Sequence, residues 1–204
     1  MSKLLIGWSE ASITPEKKIS LAGQFAERIS EYVEKPLTAT ALAVDSGEDQ
    51  AVLVSCDLSS ITFGLLRSVR ARLADNTVGL DVEKIVMSAI HTHTGPKYAG
   101  QRSRREQVGG NHRATLESFL APGQKYVEKV NISTNPDIAT NQEVTDLLVE
   151  RSSQAILDAW NSRKPVSFIN AFGRAVVGMC RRAAYSDDTA QMWGDTNTAV
   201  FEAL

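Results

Sequence analysis

The amino-acid sequence predicts an α/β fold, a mixed β-sheet flanked by helices and interrupted by a long irregular insertion. Three observations carry that prediction. Short β-branched or alternating apolar runs at residues 4–13, 36–45, 50–56 and 82–90 have the composition of strands. Residues 58–74 and the stretch beginning at Thr140 repeat apolar side chains at helical spacing. The succession of strand 50–56, helix 58–74 and strand 82–90 also implies a crossover onto a parallel neighbour, which lays a helix on the sheet.

Taken in order, residues 4–13 form an opening strand that runs into a Thr14-Pro15 turn. Residues 16–36 are polar and mixed, with Gly23 and Arg28 inside, and a loop of that length commonly lines a site. Residues 36–45 and 50–56 read as a hairpin closed by the four residues Ser46, Gly47, Glu48 and Asp49. In 58–74, Ile61, Leu65, Leu66, Val69 and Leu73 share one helical face, and Asp75-Asn76 ends it. The apolar run 84–90 then reads as a buried strand that delivers His91-Thr92-His93 into a loop broken by Gly95-Pro96.

Periodicity fails over residues 97–140, where Arg102, Arg104, Arg105 and Arg113 surround Gly109-Gly110. Within that stretch, 124–133 suits a short strand or a short helix equally. Thr140 and Glu143 have the spacing of a capping box. Val144, Leu147, Leu148, Ala155, Ile156, Ala159 and Trp160 then make one apolar face. Pro165 stops that helix, and 166–177 reads as a further strand.

The length of 204 residues suits a single domain spanning 1–204, and 43% hydrophobic residues suffice for a core. A net charge of −2 argues against nucleic acid as a partner. Cys56 and Cys180 are too few and too far apart for a disulfide framework. No run reaches the length of a membrane span, and the first residues do not read as a signal peptide. These features predict a cytoplasmic chain with no transmembrane segment, or a secreted one if a leader precedes Met1.

The chemistry concentrates at His91 and His93, two of only three histidines. Side chains at i and i+2 of an extended segment share a face, so both imidazoles can meet in one cavity as metal ligands. Catalytic zinc takes three protein ligands plus water and structural zinc four, so two histidines are an incomplete set. His112 lies in the arginine-rich loop, where a cation is disfavoured. Asp57 suits a ligand, an acceptor orienting an imidazole, or a plain strand-ending or helix-capping carboxylate. Arg181 and Arg182 suit either a grip on a carboxylate or carbonyl, or a solvated pair. Cys56, inside an apolar strand with no nearby partner, does not read as a nucleophile.

These residues resemble a known family. The opening IGWSEASITP, the loop from Gly23 to Arg28, and PLTATALAVD followed by AVLVSCDLSSI are similar to the N-terminal domain of the neutral/alkaline, non-lysosomal ceramidases. SAIHTHTGP resembles that family's Ser-Gly/Ala-Thr-His-Thr-His-Ser/Thr-Gly-Pro signature. The resemblance implies a zinc amidase that splits ceramide into a fatty acid and a sphingoid base. It implies His91 as a zinc ligand and His93 as the neighbour that polarises the scissile carbonyl. Cys180-Arg181-Arg182-Ala183 stands where the family has Asn-Arg-Ser-Pro, which makes Arg181 the active-site arginine despite the departures on either side of it.

The family's further His, Glu and Tyr ligands have no counterpart in this sequence. The resemblance therefore implies that 1–204 is the N-terminal catalytic portion of a longer hydrolase, its site completed by the remainder of the polypeptide. The expected substrate is an N-acyl lipid such as ceramide. Aromatic residues at 6% and the lack of a basic amphipathic helix leave open a small non-lipid amide or ester. The missing ligands also allow a non-catalytic domain.

Overall fold

The computed structural model describes residues 4–23, 28–100, 135–174 and 182–192. The chain divides into two units, Met1–Ser167 and Phe168–Leu204.

The first unit is α/β. Its sheet has five strands in the order β4-β3-β2-β1-β5: β1 (Leu5–Ser12), β2 (Thr38–Asp45), β3 (Gln50–Cys56), β4 (Ile85–Ala89) and β5 (Lys164–Pro165). β1, β2 and β3 form an antiparallel meander, β5 pairs antiparallel to β1, and β4 pairs parallel to β3, so the sheet is mixed. The 46–49 turn closes the β2–β3 hairpin: Asp45 accepts from the Gly47 amide at 2.8 Å, and Gly47 takes the φ of 79° that the turn demands.

Helix α1 (Phe63–Ala74) starts at an N-cap, Thr62, whose hydroxyl accepts from the Leu65 amide at 3.1 Å. Helix α2 (Asn141–Asn161) opens with the capping box, Thr140 and Glu143 each accepting from the other's amide. α2 packs across β1 and β2 and against α1. The strand side chains beneath it are small: Ala39, Ala41 and Ala43 are fully buried, and a Cβ on Gly7 would lie 1.9 Å from the Ala159 carbonyl oxygen. Small residues there let helix and sheet backbones approach closely. Val52, Val54, Cys56 and Ile85 complete the inner face, against Leu65, Val69 and Leu73 of α1 and Val144, Leu148 and Ile156 of α2.

Three sequence expectations are corrected. The run into the histidines is not a buried strand: β4 lies at the sheet edge, only Ile85 of it is buried, and residues 82–84 form a 3-10 turn. Helix α1 begins five residues later than its periodicity suggests. Leu58 turns into the core instead, and the buried Tyr98 hydroxyl accepts from the Thr62 amide and donates to the Ser60 carbonyl, each at 2.9 Å. Finally, Pro165 pairs with Leu5 as part of β5, and residues 166–174 form no strand, while 175–177 lie outside the described residues.

In the second unit, β6 (Arg182–Ala184) and β7 (Ala190–Met192) form a hairpin. Its turn is closed by the Tyr185 amide donating to the Thr189 carbonyl at 2.9 Å and by Asp187 accepting from the Thr189 amide and hydroxyl.

Candidate metal centre

The parallel strands β3 and β4 end side by side, and the Ile90 amide donates to the Cys56 carbonyl at 3.1 Å. Beyond that bond the chain leaves the sheet. His91 adopts φ 65°, a left-handed conformation that costs a non-glycine residue on the order of 1–2 kcal/mol. The two rings therefore do not meet through the i, i+2 geometry of an extended strand. The kink at His91 turns them toward each other, edge to face, with centroids 5.0 Å apart and planes at 78°.

Their Nε2 atoms lie 3.4 Å apart. His91 Nδ1 is 2.6 Å from the Ser59 carbonyl oxygen. A carbonyl only accepts, so Nδ1 carries a proton and donates, and in the neutral ring Nε2 is the acceptor. A backbone acceptor on the far nitrogen is the usual way a zinc-binding histidine is oriented, and the His91 Nε2 faces the His93 Nε2 within hydrogen-bonding reach. Zn–N bonds of 2.0–2.1 Å at tetrahedral angles separate two ligand nitrogens by about 3.3–3.4 Å. The pair thus fits zinc in donor type and spacing. Among the described residues no group of three or more His, Cys, Asp or Glu side chains is placed to hold a metal.

Asp57 is engaged elsewhere. Its Oδ2 accepts from the Thr38 amide at 2.8 Å and from the Thr38 hydroxyl at 3.0 Å, closing the start of β2 onto the end of β3. That is the strand-ending role among the readings its position allowed. Cys56 is fully buried, and burial pushes its thiol up to about 12, which removes it as a nucleophile at neutral pH. Arg181, His112, Cys180 and Arg102, Arg104, Arg105 and Arg113 lie outside the described residues.

Two contributors had no side-chain signature in the sequence. Ser59 orients His91 through its main-chain carbonyl, which any residue type possesses. Gly23, at φ 72°, lies against the His93 ring, where a Cβ would approach Cγ and Nδ1 to 2.9 Å. A glycine in a long polar loop was the only hint of that contact.

The fold and the paired imidazoles define an α/β domain with two histidine rings facing each other beyond the tips of two parallel strands. Among solved structures, the chain is similar to neutral ceramidase from Pseudomonas aeruginosa, with TM-score 0.56 and 20% identity over 81% of this chain and 22% of that one. It is similar also to a structure described as ceramidase complexed with C2, with TM-score 0.52, 20% identity and the same coverage. The likeness is one of fold, and the chain spans about a fifth of the length of those proteins. No family model and no curated protein matches the sequence.

Proposed function

We propose that this chain contributes to the active site of a zinc-dependent amidohydrolase resembling neutral ceramidase. Its substrate would be the N-acyl amide of a ceramide-like lipid, hydrolysed to a fatty acid and a sphingoid base. The observation that carries the reading is the convergence of two imidazole Nε2 atoms at 3.4 Å, one of them fixed as an acceptor, in a chain with a ceramidase-like fold.

His91 would hold the metal through Nε2. Zinc, when bound, supplies Lewis acidity that lowers the pKa of water and polarises a carbonyl. The Ser59 carbonyl keeps the His91 ring in the one tautomer and orientation that suits a ligand. His93, beside it, would donate a hydrogen bond to the carbonyl oxygen as negative charge develops there, typically a large catalytic contribution. Arg181 would share that charge, a role assigned on sequence resemblance alone. Water's oxygen ends on the acyl carbon, the C–N bond breaks, and the amine leaves with a proton. The 3.4 Å spacing equally suits His93 as a second ligand; an X-ray absorption count of two imidazoles on zinc would assign it so.

The test is fatty-acid release from ceramide by the longest natural polypeptide that carries this sequence, with and without a zinc chelator. Chelator-sensitive release, lost in His91→Ala, is expected. Hydrolysis of small amides or esters with ceramide untouched would remove the lipid substrate, and an active protein without zinc would remove the metal.

A further inference from the structure

We infer that Gly23 is a positioning residue for His93: the absent side chain is the space in which the imidazole is held facing His91. The site uses two different devices to orient its rings. His91 is held by a hydrogen bond to the Ser59 carbonyl. His93 is held by a backbone wall, because a Cβ on Gly23 would stand 2.9 Å from Cγ and Nδ1 and 3.0 Å from Cδ2 of the ring. Such separations are closer than real Cβ contacts allow, and three atoms of one ring share them, so a small rotation does not relieve them all.

The wall cannot drift from the ring it faces. The segment before Gly23 is fastened to the segment after His93: the Ala22 amide donates to the Gly95 carbonyl at 2.9 Å and the Lys97 amide to the Ser20 carbonyl at 2.8 Å, around a bridge between Leu21 and Pro96. From the other side, Leu21 is buried and its amide donates to the Arg28 carbonyl at 2.9 Å. A side chain at position 23 would therefore push the ring and leave the loop in place. That moves His93 Nε2 away from the point it shares with His91.

The inference rests on the zinc reading for its affinity measurement alone; its geometric arm needs no metal. The experiment compares Gly23→Ala with Gly79→Ala in the 204-residue chain. Gly79 has nearly the same left-handed backbone, φ 78° against 72°, but a Cβ there meets nothing within 4 Å, so it reports strain without collision. The readouts are ring-to-ring nuclear Overhauser contacts between His91 and His93 in metal-free protein, and zinc affinity by competition with a chromophoric chelator.

Gly23→Ala should abolish the ring-to-ring contacts; zinc weakened by about 10-fold or more would mark His93 as a second ligand, and unchanged affinity would mark it as a neighbour of the metal ligand His91. Gly79→Ala should keep the contacts and bind zinc like the parent. Retention of the contacts in Gly23→Ala would overturn the inference. If the 204-residue chain binds no zinc, the donors expected from the remainder of the polypeptide are needed for binding, and the metal-free contacts alone decide the role of Gly23. If Gly23→Ala does not fold, the double variant Gly23→Ala/His93→Ala, which has no ring to strike, should recover folding. A double variant that stays unfolded shows that the obstacle is not His93 and also overturns the inference.

Discussion

At the scale of single residues, the site depends on His91 accepting a poor backbone conformation. Left-handed φ in a residue other than glycine persists only where its surroundings enforce it, and such residues concentrate at functional positions. Here the enforcement comes from the Ile90 amide bonded to Cys56 on one side and the Nδ1–Ser59 bond on the other. Two substitutions separate strain from chemistry. His91→Ala keeps the strain and loses the bond, and should cost about 1 kcal/mol of unfolding free energy. His91→Gly loses the bond but relieves a strain of about 1–2 kcal/mol, so it should leave stability within about 1 kcal/mol of the parent. Urea denaturation of the two variants checks this, and a glycine variant less stable than the alanine variant would refute it. Asp57 carries the opposite lesson: a carboxylate well placed in sequence for a metal is consumed by the amide and hydroxyl of Thr38.

At the scale of elements, α2 is the helix whose ends and face were most completely written into its own residues. Its capping box is local, and the apolar period marks Val144, Leu148, Ala155, Ile156, Ala159 and Trp160 as buried, while the buried Ser152 and Ser153 carry no apolar signal. Its first turn also makes a contact that spacing does not reveal, an ion pair between Glu143 and Lys17 from the loop after β1. The Lys17 ammonium and the Thr140 amide hold the Glu143 carboxyl down at about 2, against an ordinary value of 4.5. A carboxylate depressed on folding contributes stability that is complete above its unfolded value and fades as pH falls toward its folded one. The contribution is therefore present at neutral pH and lost between about 4.5 and 2. Chemical denaturation across that range should show a steeper loss in the parent than in Glu143→Gln. Equal slopes would mean that solvent screens the exposed pair completely.

At the scale of the molecule, the sheet has two unlike faces. α1 and α2 cover one of them. On the other, Trp8, Leu42, Leu53 and Val86 stand directly opposite one another on β1, β2, β3 and β4, an apolar row running across four strands. Trp8 is 61% exposed, Val86 54% and Leu53 48%. The next row, Glu10, Thr40, Ser55 and Ser88, is polar, so the apolar band has a sharp border. Contiguous exposed apolar surface of this kind takes up apolar dyes and promotes association. The double variant Trp8→Ser/Leu53→Ser should lower dye fluorescence severalfold while shifting the unfolding midpoint little, because neither side chain belongs to the core. An unchanged dye signal would place the sticky surface elsewhere.

What this sequence determined by itself is whatever its neighbours in the chain can enforce. Strand-like apolar runs specified β1, β2 and β3, the Ser46 to Asp49 turn set the pairing of β2 with β3, and the caps and period of α2 fixed its start and most of its buried face. The His-x-His segment, too, was legible as chemistry, since two of three histidines at one strand end demand a reason. The tertiary structure decided how that chemistry is arranged. The edge position of β4, the kink that turns two rings together, the Ser59 carbonyl that sets a tautomer and the Gly23 wall that confines a ring all join parts of the chain distant in sequence. Backbone carbonyls and missing side chains leave no mark on residue type. Their effect exists only once packing has brought them within reach of the ring they control.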